Sequence, residues 1–190
     1  MPKVIGYGED FLTFWAITER LDLILKLLED RTDPTRCLVI YRPSFGRASL
    51  IGEFDAILVT PLTAYLVESK WDKSRLPQNV LKLSRVQMGR HEILRWYHET
   101  WDGEEWSNFV EKYEDAFLHR FMKSIAPAGS LLSRNIITVL SEMRGRAVKD
   151  VLLYFYVSEL PKIETDFNIV RVKYRPTIGN YVELASYIKL

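Results

Sequence analysis

The sequence predicts an α/β sandwich built on a mixed sheet. Three observations carry that prediction: a long amphipathic opening segment, three short β-rich runs over residues 37–70, and a return to β-rich runs after a helical middle. The chain has 190 residues, 47% of them hydrophobic and 27% charged, so it reads as one domain, 1–190, large enough to bury a sizeable core.

Residues 9–29 (EDFLTFWAITERLDLILKLLE) read as a first helix, acidic at its start as the helix dipole prefers. Asp33-Pro34 places a turn in 31–36, and CLVIY over 37–41 is a strand. RPSFGRASL over 42–50 is rich in breakers and reads as a loop. Strands follow over about 51–59 and 64–70, joined closely enough to form a hairpin. Pro77 marks the start of a long helix reaching about Trp101, followed by helices over 104–124 and 130–144. Strand character returns in 151–157, 169–175 and 181–189. No internal repeat or low-complexity tract interrupts this order.

The net charge of +1 announces no bulk affinity for nucleic acid, so any such surface must be local. The one cysteine, Cys37, excludes an intrachain disulfide and a zinc ribbon, and reads as a small hydrophobe in a reducing compartment. No signal-peptide pattern and no apolar run of about 18 residues is present, so a cytoplasmic protein without membrane contact is expected. Walker A and Gly-x-Gly-x-x-Gly loops are absent, which argues against a nucleotide cofactor. His-Glu-x-x-His and Gly-x-Ser-x-Gly motifs are absent too, leaving zinc-protease and serine-hydrolase readings without support.

The hairpin carries charge where a buried strand would carry none. Asp55 precedes AILV, and Glu68 and Lys70 follow AYLV. Side chains alternate along a strand, so Glu68 and Lys70 share one face while Tyr65, Val67, Ser69 and Trp71 share the other. With Thr60–Thr63 as the turn, Asp55 falls opposite Glu68. Two adjacent carboxylates repel, and a hard divalent cation such as magnesium removes the conflict. The Ser69 carbonyl would be a further ligand, and Lys70 would lie near a metal-bound water.

Asp55, twelve residues, then Glu68-Ser69-Lys70 at the end of an apolar strand resembles the PD-(D/E)xK nuclease superfamily, which includes restriction endonucleases and archaeal junction resolvases. The resemblance covers about residues 9–100, with Glu53-Phe54-Asp55 standing where the name-giving motif has Pro-Asp. It implies a restriction-endonuclease-like α/β/α core, with 102–146 as a helical insertion or extension and 150–190 as C-terminal strands. It also implies hydrolysis of DNA with Mg2+, or Mn2+ as substitute, held by Asp55 and Glu68 while Lys70 assists the water. Such nucleases often add a glutamate from the first helix. Glu19, in TERL, resembles that residue better than Glu9. Many relatives act as dimers, so a homodimer is a further implication.

Leu83, Val86, Arg90, Ile93, Leu94 and Tyr97 recur at three- and four-residue intervals and define one stripe, with Arg90 inside it. A guanidinium there needs a carboxylate or phosphate partner. Gln87 and His91 lie together at the stripe's edge. The resemblance assigns Gln87 to the site, with Arg90 and His91 as phosphate-binding or supporting groups. Arg42 and Arg47, before the hairpin, and Lys73 with Arg75, after it, are placed to track a nucleic-acid backbone. Arg171, Lys173 and Arg175 form a further basic face in VRVKYR. Most of the five tryptophans fall at helical apolar positions and read as core; Trp71 is the exception, next to Lys70 but on the opposite strand face, where it reads as packed beneath a helix. The rival expectations are an inactive nuclease-fold protein serving as a nucleic-acid-binding or assembly module, and a structural protein with an incidental charge pair. Which form of nucleic acid would be bound stays open.

Overall fold

AILV and TAYLV offer no polar face to water, and the chain resolves this by placing both runs inside a sheet covered on each side. The computed structural model describes residues 4–46, 51–73, 80–158 and 160–184. In chain order its elements are β1 (Val4–Gly6), α1 (Glu9–Glu19), α2 (Leu21–Leu27), β2 (Leu38–Tyr41), β3 (Ser44–Phe45), β4 (Gly52–Glu53), β5 (Ala56–Val59), β6 (Thr63–Trp71) and β7 (Val80–Lys82). There follow α3 (Arg85–Thr100), α4 (Trp106–Phe121), α5 (Leu131–Met143), β8 (Ala147–Tyr156), β9 (Lys162–Glu164), β10 (Asn168–Lys173) and β11 (Val182–Leu184).

The central sheet has the order β10-β8-β6-β5-β2. β6, β8 and β10 run parallel, while β5 and β2 pair antiparallel, so the sheet is mixed as expected. On one face α1 and α2 bring Leu12, Trp15, Ala16, Ile24 and Leu25 against Leu58, Val67, Leu153 and Val172. On the other, residues of α3, α4 and α5, among them Leu94, Tyr97, Phe109 and Leu140, cover Ile57, Val59, Ala64 and Leu66. Among the described residues no helix is long and apolar enough to cross a membrane.

Several boundaries differ from the sequence expectation. The 9–29 helix breaks at Arg20, whose φ of −131° lies outside the helical region; α2 then turns Ile24 and Leu25 onto the core that Leu12 and Ala16 cover. The helix placed at Pro77 begins only at Arg85. Leu81 and Leu83 alternate as a strand does, sink into a small core with Leu152 and Tyr154, and β7 pairs with β9. Pro77 itself lies outside the described residues, as do 185–190 of the last expected strand. The 42–50 segment is not all loop, since β3 pairs with β4 and buries Phe45, and the strand expected over 51–59 is interrupted at Phe54 and Asp55. β11 leaves the main sheet and pairs with β1. The three-residue strands β1, β7 and β9 are too short for any periodicity to reveal.

The β5–β6 hairpin has the expected register. Ala56 pairs with Val67, which places Asp55 one step on, opposite Glu68, and Thr60 N–H closes the turn on the Thr63 carbonyl at 2.8 Å. Just past β6, Asp72 joins three strand ends. Its carboxylate accepts from Val157 N–H at 2.8 Å and from the Tyr174 hydroxyl at 2.9 Å, while its own N–H donates to the Phe155 carbonyl at 2.9 Å. Asp72→Ala is expected to cost about 1–3 kcal/mol, because it leaves two donors without their acceptor. Urea unfolding measures this, and an unchanged midpoint would contradict the role.

Candidate active site

Strand alternation and one helix cap assemble the site. Glu68 and Lys70, two apart on β6, point to the α3 side, at the end of the sheet where α1 also begins. The Glu68 side chain is only 3% exposed. Lys70 Nζ lies 3.3 Å from Glu68 Oε1, 2.9 Å from Glu9 Oε1 and 2.5 Å from the Ser69 carbonyl oxygen. Asp55 is held from the backbone: Ser69 N–H donates to its Oδ2 at 2.7 Å. The Ser69 hydroxyl turns to the other face, 2.8 Å from the Thr13 hydroxyl on α1.

Gln87 is the third residue of α3 and serves two purposes. Its backbone N–H donates to the Ser84 hydroxyl at 3.2 Å, and its side-chain oxygen accepts from Ser84 N–H at 2.8 Å, a capping box. The same amide group, fixed by that cap, donates its Nε2 to Glu68 Oε1. One turn on, Arg90 Nη1 donates to the Glu53 carbonyl and stands 3.8 Å from Glu68 Oε2. Glu68 Oε2 is buried and makes no hydrogen bond.

The electrostatics follow from this crowding. Burial first, and then the Glu68 carboxylate, push the Asp55 pKa up to about 7 against the opposing pull of Ser69 N–H and Lys70. For Lys70, burial pulls the pKa down, but the carboxylates of Glu68 and Glu9 outweigh it and hold the ammonium above its usual value. Lys70 is therefore a cation at neutral pH and not a free base. At the rim, Arg42 bridges Asp10 and Glu53, the latter at 3.0 Å.

Asp55, Glu68, the Ser69 carbonyl, Lys70, Gln87 and Arg90 thus come together as the sequence led us to expect. Glu19 does not. It lies at the far end of α1, about 15 Å along the helix from Glu9, and Glu9 is the residue that reaches Lys70. The ERL string pointed to Glu19, whereas the start of α1, with Glu9, is the end that abuts β6.

His91 is also corrected. It is 0% exposed, clasped between the rings of Phe54 and Phe167, with Nδ1 2.8 Å from Asp150, which also pairs with Arg95. It is a packed anchor of α3 and presents nothing to a nucleic acid. Asp150, on β8, was missed; its signal was a lone carboxylate before the apolar run VLLYFY. Lys73 sits on the opposite side of the sheet end, 2.6 Å from Asn180 Oδ1. Arg47 and Arg75 lie outside the described residues. Arg171, Lys173 and Arg175 are exposed while Val170, Val172 and Tyr174 are buried, the alternation the sequence predicts.

Among the described residues, no three His, Cys, Asp or Glu side chains close into a metal-holding group. The oxygens on offer are the two carboxylates of Asp55 and Glu68 with the Ser69 carbonyl. A donor set of one or two carboxylates suits magnesium, which keeps most of its waters, and the buried Oε2 of Glu68, near Arg90 but without a hydrogen bond, fits a cation. Comparisons with protein-family models, curated proteins and solved structures find no match.

A carboxyl with a raised folded-state pKa binds more protons folded than unfolded, so stability falls as pH climbs from about 4 through about 7. Without divalent cations, thermal unfolding should show this decline. Asp55→Asn should flatten it and exceed wild type at pH 8 by about 1–3 kcal/mol. A variant with the wild-type pH profile would show that Asp55 is not the titrating group.

Proposed function

We propose that this protein is a metal-dependent nuclease that hydrolyses phosphodiester bonds in DNA. The observation that carries the reading is Glu68: a carboxylate almost wholly buried, opposite a second carboxylate, beside an ammonium, with one oxygen left without a hydrogen bond. Arg90 stands 3.8 Å from that oxygen without hydrogen-bonding it, so its bonding capacity is open to a further ligand.

Asp55, Glu68 and the Ser69 carbonyl would hold Mg2+ or Mn2+. That ion, when bound, supplies Lewis acidity and a nucleophilic water at neutral pH. The chain's own groups do the rest. Gln87 keeps Glu68 Oε1 in place, and Oε2, which makes no hydrogen bond, would be the oxygen that serves as a ligand. Lys70, permanently charged, orients the attacking water and stabilises the negative charge that develops on the phosphate oxygens. Glu9 holds the Lys70 ammonium in register, and Arg90, bound to the Glu53 carbonyl, stands beside Glu68 where the substrate phosphate would lie. Arg42, shared between Asp10 and Glu53, can exchange one of those carboxylates for a backbone phosphate.

A second reading has its own support. Lys70 already sits among the Glu68 and Ser69 oxygens and offsets part of the buried charge, as it would in a nuclease-fold protein that binds or assembles without cutting. Metal binding and cleavage separate the two. Wild type is expected to bind Mn2+ in calorimetric titration and to cut at least one of supercoiled, linear, single-stranded or branched DNA. Glu68→Ala and Lys70→Ala, folded by circular dichroism, should lose about 10²–10⁴ in rate. Wild type that binds no Mn2+ and cuts none of these substrates would leave the non-catalytic reading in its place.

A further inference from the structure

Tyr7, Trp71 and Tyr181 form an aromatic cluster at the same sheet end as the candidate site, on the opposite face, and its two tyrosines are half exposed. Tyr7 packs edge-on against Trp71 with ring centroids 5.2 Å apart, and lies 5.7 Å from the Tyr181 ring. Trp71 is half-buried, but Tyr7 is 50% and Tyr181 47% exposed. Lys73 adds a cation over the cluster, its Nζ 5.5 Å from the Tyr7 centroid and 5.8 Å from that of Trp71.

Two features tie this surface to the site across the sheet end. Trp71 directly follows Lys70 on β6 but faces the other side of the sheet, with Lys73, and Tyr7 lies two residues before Glu9, which bonds the Lys70 ammonium around that end. Gly6 and Gly8 set the geometry between. A Cβ on Gly6 would fall 2.1 Å from the Phe11 ring, and Gly8 has φ +98°, so the chain turns sharply from β1 into α1 and leaves Tyr7 projecting.

We infer that Tyr7 and Tyr181, with Lys73 beside them, are a stacking platform for unpaired bases of a single-stranded nucleic acid entering or leaving the site. Exposed rings accept a base of any sequence on their faces, and an adjacent ammonium meets the phosphate that accompanies it. A duplex keeps its bases stacked internally and gains little from such rings. The substrate class this selects is a single strand, or the single-stranded portion of a branched or frayed DNA. The inference rests on the nuclease reading only for the chemistry done at the neighbouring site.

The test is binding without turnover. In a Glu68→Gln background with EDTA, fluorescence anisotropy measures affinity for a labelled single-stranded oligonucleotide and for a duplex of equal length. A 2-aminopurine in the single strand reports stacking by its quenching. Tyr7→Ala and Tyr181→Ala should each weaken single-strand binding about 5–150-fold, the range for loss of one base–aromatic stack. They should relieve the quenching and leave duplex binding within twofold. Tyr7→Phe and Tyr181→Phe keep the ring and should restore both signals, which a merely structural hydroxyl contact would not allow. Folded alanine variants with wild-type single-strand affinity, or equal losses on single strand and duplex, overturn the platform. Stacking through these tyrosines in a wild type that cuts nothing would instead sink the nuclease reading and leave the platform standing.

Discussion

A charge buried on the central strand is the constraint around which this structure is arranged. Glu68 lies in the middle of a five-stranded sheet, flanked by β5 and β8, with α3 above it. An isolated carboxylate in that position would be prohibitively costly. Each neighbouring element therefore contributes something to it: β6 itself Lys70, α3 Gln87 and Arg90, and α1, at one remove, the Glu9 that steadies Lys70. Burial first, and then the closeness of the two carboxylates that the hairpin register imposes, raise the Asp55 pKa.

The rest of the fold supplies rigidity to that arrangement. Polar anchors, one buried and one partly buried, brace the sheet. Asp150 on β8 engages His91 and Arg95 and so fixes the rotation of α3 about its axis, while Asp72 ties together the strand ends on which Lys70 and Trp71 stand. Glu68, Lys70, Gln87 and Arg90 stand on regular elements, and Asp55, on the bend before β5, is held by the Ser69 N–H, an arrangement that fixes the site's geometry.

Much of this was legible in the residues, and the parts that were not share a cause. The hairpin, its register and the convergence of Asp55, Glu68 and Lys70 follow from a period of two and a short turn, both local properties. Arg90 was legible because a guanidinium inside an apolar helix stripe demands a partner, whereas Gln87, at the stripe's edge, was reached only through the resemblance. The choice between Glu9 and Glu19 was not local, since it depends on which end of α1 abuts β6, and no periodicity within the helix carries that. His91 shows the opposite error: its position at the stripe's edge suggested access, but Asp150, 59 residues away, closes over it. The strand before α3 escaped notice because three residues do not make a pattern.

The position of Gln87 has a consequence for which sequences could inherit this arrangement. A capping box accepts either glutamine or glutamate at its third helical position with little difference to the helix. Here the outward half of that side chain is a donor to Glu68, and glutamate would set a third carboxylate against two that already repel. Two demands that are separately permissive intersect in a single amino acid. Among descendants of this chain, the exchange of glutamine for glutamate that helix starts ordinarily tolerate would be closed at this position unless Glu68 changed with it.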